Sequence, residues 1–217
     1  MTREIDRFRD GIGWIAKPDE TMQRASHALV DDGAVWVIDP VDTPDLDDRL
    51  DEVGEVAGVV VLLDRHKRDA AMIATRHDVP VYLPRELRAI RDAFDASVQT
   101  FDTELATTGY RTIPIVTNRF WREVALYHES DRTLIVPEAV GTGSHFCAPG
   151  ERLGVHPVLR PFPPRTALDG FEPERILVGH GEGVFDNATT ALREPLDGAR
   201  SRMIRVYATL VRGAARI

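Results

Sequence analysis

The stretch VVVLLDRHKRDAAMIA, residues 59–74, sets one histidine among charges of both signs at the end of an apolar run. Asp64, His66, Arg68 and Asp69 all fall within it. Two other apolar runs end in a chemically useful group: Glu138 follows TLIVP, and His180 follows RILVG. Strand ends that face the same way are where sheet proteins assemble sites. Imidazole together with carboxylate suits a divalent metal of hard to borderline character. The arginines offer a different chemistry, because guanidinium pairs bidentately with carboxylate or phosphate. His145 could lie at the edge of such a pocket, in contact with substrate.

Other polar residues carry less. Cys147 is the single cysteine, two positions from His145. Neighbours at i and i+2 rarely face each other, and a lone cysteine more often fills apolar space. Ser144 is followed by His145 and Phe146, so it is not a Gly-x-Ser-x-Gly elbow. His27 reads as a core or edge residue, and His77 and His128 as solvent-facing. His156 precedes Pro157 in a loop and says little. Trp121 reads as a pocket wall or a rim aromatic.

The elements that must position these groups alternate. SHALV (26–30) and AVWVIDP (34–40) flank Asp32-Gly33, a hairpin turn pair. Residues 43–53 carry apolar positions at helical spacing; 58–63 form a continuous apolar strand; 68–78 are helical. VPVYLP (79–84) is a strand, and RELRAIRDAF is a helix that follows it. Three runs, 110–117, 122–129 and 132–137, read as a meander. Residues 138–170 are rich in Gly and Pro and read as a long site-shaping loop. A last strand, 175–184, precedes a helix over 187–213, broken near Pro195 and Gly198. Met203, Ile204, Tyr207 and Leu210 share a stripe expected to face the core or a second copy in a homodimer.

The bulk numbers bound the rest. The chain has 217 residues, and one domain over 1–217 is the simplest division. The net charge is −8, which argues against nucleic acid as a partner. No apolar run nears the roughly 20 residues that span a bilayer, and the N-terminus lacks the apolar segment of a signal peptide. No membrane partner and a cytoplasmic location are therefore expected. Lys17 and Lys67 are the only lysines beside many aspartates, which suits a salt-loving source.

In order and spacing, SHALVDDGAVWVIDP, DRHKRD, VPEAVG and ILVGHG resemble the metallo-β-lactamase fold, over roughly residues 12–185. The resemblance implies an αββα class: two mixed β-sheets flanked by helices. It also implies paired metals about 3.5–4 Å apart that activate a shared water. The family signature His-x-His-x-Asp-His follows a buried strand. Carried over, Asp64 stands at its first His, His66 at the second, Arg68 at the Asp and Asp69 at the last His. Arg119 stands near the next His, Glu138 at the bridging Asp, and His180 in the Gly-His-Gly turn. Only His66 and His180 are unchanged. Arginine stays protonated and cannot ligate.

The expected centre is therefore degenerate. One outcome is a single divalent metal (Zn, Fe or Mn) on Asp64, His66, Asp69, Glu138 and His180, hydrolysing an ester, thioester or amide-like bond of a small-molecule substrate as the resembled family does, with Asp69 or Glu138 accepting the proton; Arg68 and Arg119 could then hold an anionic ligand. The other is no metal and no catalysis: a binding or scaffold protein in which Arg68 and Arg119 neutralise the former ligand carboxylates.

Overall fold

A computed structural model describes residues 2–214, with side chains through residue 208. Strands β1 (Arg3–Phe8), β2 (Gly11–Ile15), β3 (Ala25–Asp31) and β4 (Ala34–Ile38) run antiparallel to their neighbours. Strands β5 (Glu55–Val60), β6 (Val81–Pro84) and β7 (Val98–Phe101) extend the same sheet in parallel. The seven strands lie in sequence order. A second sheet holds β8 (Tyr110–Thr117), β9 (Arg122–His128) and β10 (Thr133–Val136). A short pair, β11 (Val140–Gly141) and β12 (Gly154–Val155), follows. Then β13 (Arg175–Val178) returns parallel to β10, giving the order β13-β10-β9-β8.

Alternation of side chains across each strand gives both sheets two buried faces. The inner faces meet through Leu29, Trp36, Ile38, Val60, Leu62, Leu126, Ile135 and Leu177. The outer face of the large sheet packs on helices α1 (Leu46–Asp51) and α2 (Ala70–Arg76) through Leu46, Leu50, Ile73 and Ala74. The outer face of the small sheet packs on α3 (Arg165–Leu168) and α4 (Ala188–Ala214) through Leu168, Leu192 and Leu196. The architecture is the expected αββα sandwich of two mixed sheets.

Several expected elements differ. Residues 85–93 form a 3₁₀ helix rather than an α-helix. β1 and β7 were not read from the sequence; their residues are largely exposed and polar on one side, which hides an edge strand's pattern. The helix at the C-terminus runs through Pro195 without a break. Its core stripe is Leu192, Leu196, Ala199 and Val206. Ile204 and Tyr207 point outward, and Tyr207 Oη donates to Pro157 O; Leu210 lies outside the described side chains. The long loop is also more ordered than expected. Arg160 and Glu151, both fully buried, pair at 2.6 Å. Arg160 also donates to Val155 O and Phe146 O.

Candidate metal centre

The site lies where β4, β5, β10 and β13 end. Leu62 and Leu63 are fully buried and carry the chain to a turn holding Asp64 through Asp69. His66 N donates to Leu63 O, closing that turn and aiming His66 inward. His180 follows β13 through Gly179. A Cβ on Gly179 would lie 2.1 Å from Pro137 O and 3.2 Å from His66 Cε1, so only glycine lets the β10 end and His66 pack there. Glu138 is placed by Glu123, a fully buried residue on β9. Glu123 Oε1 accepts from Glu138 N and Ala139 N, each at 2.7 Å, and Oε2 accepts from Trp121 Nε1 at 2.8 Å.

Three side chains converge. Among the described residues, His66, Glu138 and His180 form the group whose ligand atoms all lie within 4.8 Å of one another. His66 Nε2 is 3.3 Å from His180 Nε2 and 3.7 Å from Glu138 Oε2. The partners of the other ring nitrogens fix the tautomers. His180 Nδ1 lies 2.8 Å from Met22 O, which can only accept, so Nδ1 carries the proton. His66 Nδ1 lies 3.1 Å from Asp39 Oδ2 and donates to it. Both Nε2 atoms therefore turn their lone pairs into the same space, and the His66 lone pair also meets Arg68 Nη2 at 3.3 Å. Two Zn–N bonds of about 2.0–2.1 Å at a tetrahedral angle span roughly 3.3–3.4 Å. The carboxylate behind His66 and the carbonyl behind His180 are the outer partners that metal-binding histidines use. In donor set and spacing, the triad fits one divalent ion.

Electrostatics favour neutral rings. Burial pushes His180 down to about 2, helped by His66 and Arg68. Burial and the nearby Arg68, Arg65 and Arg24 hold His66 well below the usual imidazole range. Burial raises Asp39 to about 6, against the pull of Arg68 and the Leu62 N–H. Burial likewise raises Glu138, with Arg65 opposing it.

Two guanidiniums weigh against the ion. Arg68 Nη1 donates to Ala25 O and Asp39 O, both at 2.6 Å; Nη2 donates to Gly179 O at 3.1 Å and faces His66 Nε2 at 3.3 Å. It is thus fixed in a ring of carbonyls against His66 Nε2. Arg68 and Asp39 both hold positive φ, 41° and 43°, a backbone conformation costing about 1–3 kcal/mol that folds retain where the local geometry demands it. The second guanidinium is Arg65, whose Nη2 donates to Glu138 Oε2 at 2.9 Å.

The remaining sequence-predicted residues lie elsewhere. Asp69 Oδ2 accepts from Asp42 N at 2.8 Å, pinning α2 to the loop after β4, and Asp69 is not in the converging group. Asp64 Oδ2 accepts from Arg122 N at 3.0 Å and secures the start of β9. A short side chain cannot both make that bond and replace the reach of histidine. Arg119 is exposed and stacks on Phe120, 4.5 Å from its ring centre; the cation on Glu138 is Arg65. His145 is half-buried, its ring centre 5.8 Å from that of His180, and burial lowers it below the usual imidazole range against the Thr21 backbone. Burial drives the Cys147 thiol up to about 12, which disfavours the thiolate a nucleophile needs. His77 and His128 are not free at the surface: they pair with Asp47 and Asp131.

Asp39, Arg65, Glu123 and His156 are site residues that sequence reading missed. Asp39 ends the strand VWVID, the same signal that marked Glu138 and His180. His156 Nε2 lies 3.5 Å from Glu138 Oε1, and its ring meets Trp121 edge-on. Nothing in its local sequence marks it.

No family model matches the chain, and no curated protein matches it. Solved structures do. A DIM-1 metallo-β-lactamase structure, exposed to ceftazidime, is similar over 93% of this chain and 96% of its own, with TM-score 0.66 and 13% identity. A TMB-1 structure is similar over 95% and 98%, with TM-score 0.66 and 12% identity. A chemotaxis sensor, ODP, solved as a peroxy diiron species, is similar over 91% and 94%, with TM-score 0.61 and 13% identity. At such identities the likeness establishes the metallo-β-lactamase fold and nothing finer. No helix among the described residues is long and apolar enough to cross a membrane.

Proposed function

We propose that this metallo-β-lactamase fold carries a hydrolase-like centre reduced to a single, weakened metal position on His66, Glu138 and His180. The observation behind this reading is the convergence of the His66, Glu138 and His180 ligand atoms within 4.8 Å of one another, with the two Nε2 atoms 3.3 Å apart. A divalent ion bound there would supply Lewis acidity and a nucleophile at neutral pH. The protein's own groups do the rest. Asp39 and Met22 O hold the two rings in one tautomer and one orientation. Glu138 sits at the boundary of the triad and the open surface, as the carboxylate able to take up a proton. Arg65 steadies it and keeps N–H groups near a substrate carbonyl. Arg68 supplies a fixed positive charge beside His66, where a second ion would otherwise be compensated by carboxylate. Asp39 and Glu138 are thus already offset by Arg68 and Arg65, which leaves no excess negative charge for two divalent ions.

That same offset favours a second reading, a non-catalytic binding protein on this fold. The two separate on metal content and turnover. Purified protein should carry or take up one zinc, iron or manganese per chain and hydrolyse a p-nitrophenyl ester, and His66→Ala should lose both. Metal-free protein with no hydrolysis at any added metal would select the binding protein. We read the chain further as one cytoplasmic domain from a salt-loving source, on the composition described above.

A further inference from the structure

A groove of about 530 Å³ opens beside the triad, a size typical of small-molecule sites. One wall is the β8–β9 turn with Phe120 and Trp121. The other is the 3₁₀ turn Pro157–Leu159, with Val158 and Leu159. Arg65 and Glu138 form the polar end, and His156 joins that end to the wall.

The walls are built, not adventitious. Asn118 Oδ1 accepts from Phe120 N and Trp121 N, at 2.9 and 3.0 Å, and Asn118 N donates to Trp121 O. That closed turn holds Phe120 outward at 76% exposure while Trp121 stays buried. Trp121 is fixed by Glu123 through its indole N–H, and Arg65 lies over its ring at 4.2 Å. On the opposite side Val158 is 68% exposed, its N–H donating to His156 Nδ1. Two fixed turns that each keep an apolar side chain, Phe120 and Val158, in water beside a polar cluster mark a binding surface.

The charge at the polar end selects the ligand. Arg65 pairs with Glu138 at 2.9 Å, lies 3.8 Å from Asp64 Oδ1 and donates to Phe120 O at 3.4 Å, so its charge is already offset and none is left over for an anion. It offers N–H donors to an uncharged oxygen. We propose that the groove binds an uncharged apolar acyl group, its chain along Phe120, Trp121, Val158 and Leu159 and its carbonyl oxygen accepting from Arg65. Its role as the acyl subsite of a substrate rests on the hydrolase reading above; the binding itself does not.

Calorimetric titration of unreactive amides tests it, on the full chain with and without chelator. Butanamide, hexanamide and octanamide should bind progressively tighter, approaching fourfold for each methylene fully buried. Octanamide should bind more tightly than octanoate, and chelator should leave this binding intact. Val158→Asp should weaken octanamide at least tenfold, while Met72→Asp, an equal change at an exposed position on α2, should not. Octanamide that fails to bind, or binds the Val158→Asp variant equally well, overturns the proposal. So does tighter binding of octanoate, which would make Arg65 an anion site. A concentration-dependent dimer abolished by Val158→Asp would also overturn it, assigning the groove to a second copy. Amide binding without ester turnover would refute the hydrolase reading and leave the groove standing.

Discussion

Replacing Arg68 with alanine tests the most unusual feature of the site, a guanidinium fixed against His66 Nε2. The substitution removes charged donors from three carbonyls, those of Ala25, Asp39 and Gly179, and from His66 Nε2. Hydrogen bonds to charged groups contribute about 1.5–3 kcal/mol each, and they do not add. Losing one partner of a buried charge network typically costs about 3–5 kcal/mol. We expect a stability loss in that range by urea unfolding in the absence of metal. Zinc affinity should move the other way. At an effective dielectric of 20, two unit charges 4 Å apart interact by about 4 kcal/mol. Even a third of that repulsion, once relieved, tightens zinc binding about tenfold. Saturating zinc should then recover part of the lost stability, as binding to the folded state requires. Arg68→Ala protein that is destabilised by less than about 1 kcal/mol, or binds zinc no better than the parent, would refute the assignment of Arg68 as the charge that replaces a metal.

Glu123→Gln should destabilise the protein, since an amide cannot accept from Trp121 Nε1 and from Glu138 N and Ala139 N at once. Burial raises Glu123 to about 7, so its contribution in the parent is greatest below the unfolded carboxylate value and falls as pH rises through 7. The deficit of Glu123→Gln in urea unfolding should therefore be larger at pH 5 than at pH 8, and a deficit that grows with pH would contradict this. Arg160→Ala should cost about 3–5 kcal/mol by leaving Glu151 buried and poorly paired, read as an earlier thermal midpoint and faster proteolysis within 140–160. For the salt-loving source, unfolding should shift to lower temperature as salt is withdrawn, and a midpoint indifferent to salt would count against it.

The fold was legible because its cues are local and repeated. Asp32-Gly33 fixes the β3–β4 hairpin, and each of the three chemically marked residues ends an apolar run. The site was half legible for the same reason: His66, Arg68, Glu138 and His180 follow strands, and strands aim their ends together. Two expected residues lie outside the converging group for one reason. Arg119 and Asp69 were placed by alignment to a motif, but orientation depends on a turn. The Asn118 turn directs residue 119 to solvent, and Asp69 turns back to cap the loop at Asp42. Arg65, one position before His66, pairs with Glu138 instead, its guanidinium lying over the face of Trp121. Glu123 and His156 act through partners far along the chain, and no spacing in the sequence reports those partners.

Metal stoichiometry bears most directly on the central claim. Metal-free protein titrated with zinc, with bound metal counted by mass spectrometry after gel filtration, should reach one ion per chain in the parent and none in His66→Ala or His180→Ala. Two ions per chain, or no binding at millimolar zinc in folded parent protein, would contradict the account.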